Sequence, residues 1–91
     1  MSEANGTKQQ FPLGLAKRGY RGVIQHLMAS QADSALGDVE LESRLIELGF
    51  VEGANVEILH EGIVGGDPIA VRVDNVTIAV RRREAMAIIV A

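Results

Sequence analysis

Hydrophobic residues follow two rhythms along this chain, and the change comes near residue 50. Beyond it the period is two: Val56, Ile58 and His60 oppose Glu57, Leu59 and Glu61, then Ile69, Val71 and Val73 oppose Ala70, Arg72 and Asp74. Successive side chains on a strand point to opposite faces, so each stretch predicts a half-buried strand. Val76, Ile78 and Val80 continue the alternation, and Met86, Ile88 and Val90 predict a last strand. Turn signals separate them: Glu52-Gly53, Gly62, Gly65-Gly66-Asp67-Pro68, and Asp74-Asn75, a pair able to take the positive φ angles of a tight hairpin. Arg81 to Ala85 reads as a short helical turn.

Before residue 50 the rhythm is helical. Leu41, Leu45 and Leu48 recur at i, i+4 and i+7, with Glu40, Arg44 and Glu47 beside them at ion-pair spacing. Asp38 offers a carboxylate to cap the first turn, and Gly49 supplies the left-handed position that ends a helix. The spacing predicts one helix from about Asp38 to Leu48. Gly22 to Ala29 is expected to be a first strand, apolar on both faces, and Ser30 to Gly37 a loop of small residues. Residues 1–10 are polar and aperiodic and are expected to be a disordered tail, leaving residues 11–91 as one domain. Seven of eight leucines precede residue 50, whereas eight of ten valines and six of eight isoleucines follow it, which sharpens the division between helix and strand. About five short strands with one helix inserted after the first predict a mainly β fold, a small, partly closed antiparallel barrel.

Composition narrows the function classes. At 91 residues only a small core is available, and 47% hydrophobic with 23% charged residues is the balance of a globular domain. The longest unbroken apolar run, Ala85 to Ala91, is far short of the roughly 20 residues a membrane span needs, so a cytoplasmic location is expected. With no cysteine there is no disulfide framework, thiolate zinc site or thiol nucleophile. A net charge of −3, one Tyr, two Phe and no Trp argue against nucleic acid, whose binding modules use a basic field and stacking rings. Neither a Gly-x-x-x-x-Gly-Lys-Ser/Thr phosphate loop nor a Gly-x-Ser-x-Gly nucleophile turn occurs, so an enzyme is not expected.

Three constellations remain. His26 and His60 are the only histidines and, with Glu61 beside the second, are the candidate metal donors, provided that neighbouring strands bring them together. Arg81, Arg82 and Arg83 are the one basic cluster, set against seven carboxylates and one arginine between Asp38 and Glu61. They are a solvated turn or a means of reaching a partner's carboxylate or phosphate. Finally, Ile46 lies about 140° around the helix from the leucine stripe, and Leu59 and Ile89 fall on the outer faces of their strands. Such a surplus of apolar surface suits a partner or a second copy of the chain. On the helix, docking would fall on Ile46 and, less cleanly, on Leu45, which the stripe also commits to the core.

Three stretches together resemble one family: Ser43-Arg-Leu-Ile-Glu-Leu-Gly-Phe-Val-Glu-Gly-Ala-Asn-Val, Gly65-Gly-Asp-Pro-Ile-Ala-Val-Arg-Val, and Ile78-Ala-Val-Arg-Arg-Arg-Glu-Ala-Met-Ala-Ile-Ile-Val. Their order and spacing are those of the ferrous iron transport protein A family, FeoA, over roughly Phe11 to Val90. Glu52 departs from the proline that the family often has there. The resemblance implies an SH3-like barrel that binds the cytosolic GTP-binding part of a FeoB-type ferrous iron permease and modulates transport. It implies an association with transition metals; two histidines without cysteine limit this to weak surface coordination, ferrous iron in the cell and zinc in crystals, and no cofactor is expected to be required. A metal-responsive domain related to the barrel of iron-dependent repressors is the alternative it leaves. The residues account for the motifs in structural terms: Gly49 and Gly53 let the chain end a helix and reverse within four residues. Gly66 and Asp67 turn it again, and Pro68, unable to donate a ladder hydrogen bond, belongs at a strand entry.

Overall fold

A computed structural model describes residues 9–28 and 35–91. Six antiparallel strands make one curved, partly open sheet in the order β1-β6-β2-β3-β4-β5: β1 Phe11–Pro12, β2 Arg21–Leu27, β3 Asn55–Glu61, β4 Ile69–Val73, β5 Val76–Val80 and β6 Ile88–Val90. A 3-10 turn, Leu13–Leu15, follows β1. Helix α1, Ala35–Leu48, lies between β2 and β3, and a single turn, α2, Arg82–Ala85, lies between β5 and β6. The mainly β architecture and the inserted helix are those expected. The extra strand is β1, whose two residues are too few to show a period.

The alternating valines and isoleucines form the core. Val56, Ile58, Ile69, Val71, Val73, Val80, Ile88 and Val90 are buried, with Ile24 of β2, Leu13 of the 3-10 turn and Phe50 after α1 closing the ends. Asp74 adopts φ 53° in the β4–β5 hairpin, as Asp74-Asn75 predicts, and β4 and β5 pair without a break from Val73↔Val76 to Ile69↔Val80. Gly49 ends α1 at φ 111°, a conformation that side chains with a β-carbon resist.

Four local expectations change. Helix α1 begins at Ala35, so Asp38 lies within it instead of capping it; Ala35 and Leu36 are strong helix formers that extend the element. Ser30 to Ser34 of the expected loop, and residues 1–8 of the expected tail, lie outside the described residues. Among the described residues Arg44 pairs with Glu84 of α2, not with a neighbour on its own helix. Ile89 is buried, because β6 runs between β1 and β2 with the 3-10 turn packed on it, so no residue of β6 faces water. Leu59 is half-buried at a register shift between Ile58 and His60, where alternation no longer assigns a face.

Candidate functional site

The three arginines after β5 have different environments. Arg81 and Arg83 are exposed, whereas the Arg82 side chain is folded inward. Its Nε donates to the Gly66 carbonyl at 2.8 Å, and its Nη1 donates to those of Gly14 at 3.0 Å and Ala16 at 2.6 Å. Nη2 reaches the Glu61 carboxylate at 2.7 Å. The Arg82 amide donates to Asp67 Oδ1 at 2.9 Å, so the Gly66-Asp67 turn holds the residue by backbone and side chain together. A planar guanidinium with five N–H groups is suited to gathering several carbonyls at once. Arg82 therefore clamps the 3-10 turn, the β3–β4 turn and α2 to one another. The clamp requires close approach: a β-carbon on Gly14 would fall 2.3 Å from the Arg82 carbonyl oxygen. The Arg82 side chain, 21% exposed, is thus committed to contacts within the domain, which corrects its place among the candidate docking residues.

Around this clamp several large apolar side chains are exposed, beside the charged Glu61, Arg81 and Arg83. Leu15, Met86, Ile63 and Val64 are exposed, the last two at the tip of the β3–β4 turn. A second apolar area lies on α1, where Val39 and Ile46 are seven residues apart on one face and are 61% and 46% exposed. Arg44 reaches across to Glu84 and Leu45 is fully buried, which fixes the roll of the helix and turns Val39 and Ile46 away from α2. Leu45 is a core residue, held between the helix and the barrel, and not part of any docking face. Leu48, by contrast, is 39% exposed, so the leucine stripe is anchored chiefly by Leu45 with Leu41 half-buried.

The candidate metal donors do not converge. The β2–β3 register sets Val23 opposite Asn55; His26 lies three positions beyond it in one direction and His60 five positions in the other. Eight positions span roughly 25 Å along straight strands. Glu61, next to His60, is engaged by Arg82 and by the Arg18 amide. Among the described residues no group of three or more His, Cys, Asp or Glu side chains is placed to hold a metal ion. The donor set does not fit a closed metal centre. Elsewhere, Glu57 bridges Arg21 and Arg72 on the β2–β3–β4 surface. The Tyr20 hydroxyl is buried without a hydrogen-bond partner among the described residues, with its ring edge-on to Phe11, and burial raises the phenol above its ordinary value.

The clamp leaves no local pattern in the sequence, because its partners lie up to 68 positions from Arg82. Ile63 and Val64 are different: two large apolar residues between Gly62 and Gly65 in a turn are a readable sign of exposed apolar surface.

Comparison with known proteins decides the family. The FeoA domain model matches residues 11–91. The chain belongs to the FeoA family. Among solved structures, the FeoA of Stenotrophomonas maltophilia, described as a prokaryotic SH3 domain protein and solved in complex with zinc, is 31% identical with a TM-score of 0.71. The match covers 89% of each chain. The FeoA protein of Chlorobium tepidum is also 31% identical, with a TM-score of 0.69, over 88% of this chain and 68% of that one. A manganese-dependent transcriptional repressor shares the fold at a TM-score of 0.73, with 21% identity, over 93% of this chain and 42% of the repressor. No curated protein matches the sequence. This FeoA-family domain is therefore mainly β, SH3-like and associated with ferrous iron transport. No described helix is long and apolar enough to cross a membrane.

Proposed function

We propose that this FeoA-family domain is a non-enzymatic accessory of ferrous iron uptake that docks on the cytosolic GTP-binding part of a FeoB-type permease and modulates transport. The reading rests on family membership across residues 11–91. Its structural support is the Val39–Ile46 face, an apolar surface that the roll of α1 turns outward and that the barrel's own packing does not use. Large apolar side chains that lose water on binding are the usual anchors of an interface, and one charge placed among them is strongly opposed. Ferrous iron is the cargo of the system in this reading, and the separation of His26 from His60 favours loose surface contact with metal over a resident ion. The likeness to metal-dependent repressors extends to fold alone, so no observation favours the metal-responsive alternative.

The test is association of the purified domain with the soluble part of the permease, with and without guanine nucleotide and ferrous iron. Wild type should bind, and Ile46→Asp should lose binding while melting as wild type does. Absence of binding in every condition would remove the reading; normal binding by Ile46→Asp would remove the helix face from it.

A further inference from the structure

We propose that the free edge of β5 is a self-association surface, at which a second copy of this chain adds its own β5 in antiparallel register. The sheet order ends on β5, and among the described residues its only strand partner is β4. The two-residue turn Asp74-Asn75 joins Val73 to Val76, and the closing pair of such a hairpin exchanges both backbone hydrogen bonds. Bonding alternates along the strand from there. Val76, Ile78 and Val80 direct their N–H and C=O groups to β4, while Thr77 and Ala79 present theirs to the open side. Both residues are exposed. Edge strands are ordinarily blunted by charge, proline or a bulge. Strand β5 reads Val-Thr-Ile-Ala-Val and has none of these.

The ends of the strand argue for a second copy as the occupant. Placing Ile78 on a two-fold axis sets Thr77 opposite Ala79 of the second copy, and Ala79 opposite Thr77. Each such pair exchanges two backbone bonds, giving up to about four. Asp74 precedes the strand and Arg81 follows it, so antiparallel pairing brings each Asp74 end beside the other copy's Arg81 end. Parallel pairing would set like charges together. Asp74 uses Oδ1 to accept the Asn55 amide at 3.1 Å, and its second oxygen has no partner among the described residues. Arg81 is exposed and makes no ion pair among the described residues, whereas Arg82 is committed to the clamp. Val76, 57% exposed, would be covered in the pair. Five residues of strand make a small interface, so the association is weak and reversible, with a dissociation constant of about 0.1–1 mM.

Sedimentation of the full chain across a concentration series, with amide exchange read at low and high concentration, tests this. The mass should rise toward twice that of the monomer, and exchange at Thr77 and Ala79 should slow as it does. The double substitution Thr77→Lys and Ala79→Lys should weaken association about tenfold or more by setting lysines across the joint, with cooperative melting kept because both positions are exposed. Arg81→Glu should weaken it severalfold, and deciding on this variant covers the case in which the lysines disturb the fold. A protein that stays monomeric at about 1 mM, association undiminished in both variants, or protection that grows on α1 instead of β5 would each overturn the proposal.

Discussion

Two regions of the molecule expose apolar side chains, and they are held by opposite means. Around Arg82, Leu15, Ile63, Val64 and Met86 stand on turns that one guanidinium ties together through three backbone carbonyls and a carboxylate. Helix α1, which carries Val39 and Ile46, is fastened by fully buried Leu45, by Phe50 just beyond its end and by the surface pair of Arg44 with Glu84. A surface ion pair contributes only about 0–1 kcal/mol, and an isolated helix of this length is marginal in water. The turns are therefore rigid parts of the barrel, whereas the helix is an attachment. A partner that reads α1 is expected to meet the more loosely fastened of the two regions.

The largest expected effect treats the two regions alike. Val71 is fully buried at the centre of β4, so Val71→Asp places an unpaired charge in the core and should abolish cooperative melting, since a domain of this size has only a few kcal/mol of margin. A retained, cooperative melt would contradict that placement. Arg82→Ala separates the regions. It strands the carbonyls of Gly14, Ala16 and Gly66 and should lower stability by about 2–4 kcal/mol, against less than about 0.5 kcal/mol for Arg81→Ala or Arg83→Ala. Urea titration of the three single variants is sufficient. Equal losses in all three would mean that Arg82 is no more than a solvated neighbour of the others.

The difference between the regions also explains what was legible in the sequence. Val56, Ile58, Val71 and Val73 announced the core because a strand's period of two survives wherever one face is buried. Asp74-Asn75 announced the hairpin because turn chemistry is local. Strand β1 was hidden by its length, Ile89 by cover on both faces of β6, and the face of Leu59 by a register shift. Arg82 was hidden for a different reason. Its neighbours Arg81 and Arg83 have the same chemistry, and what distinguishes it is the arrival of Gly14 and Ala16 from the other end of the chain. The exposure of Ile46 followed from helical geometry alone, while Leu45, one residue away, belongs to the core by the same geometry.

The smallest effect is the one that probes the attachment directly. Truncating a buried leucine costs about 2–5 kcal/mol in a rigid core, with the lower values where surrounding structure can collapse or move away. Leu45 belongs to a helix with few other ties, so Leu45→Ala should fall near the low end, about 2 kcal/mol, and its consequence should be local. Amide exchange makes the distinction that a melting curve does not, because it reports opening segment by segment. In Leu45→Ala the amides of α1 should lose protection by about tenfold to thirtyfold, while those of β3 and β4 keep theirs; a factor of ten corresponds to about 1.4 kcal/mol of local stability. Arg44→Ala should act on the same amides and more weakly, since it removes only an exposed pair. If protection fell equally across α1, β3 and β4, the helix would be part of the barrel's cooperative unit. The contrast with the Arg82 region would then fail, and a partner docking on Ile46 would meet a surface as fixed as the sheet.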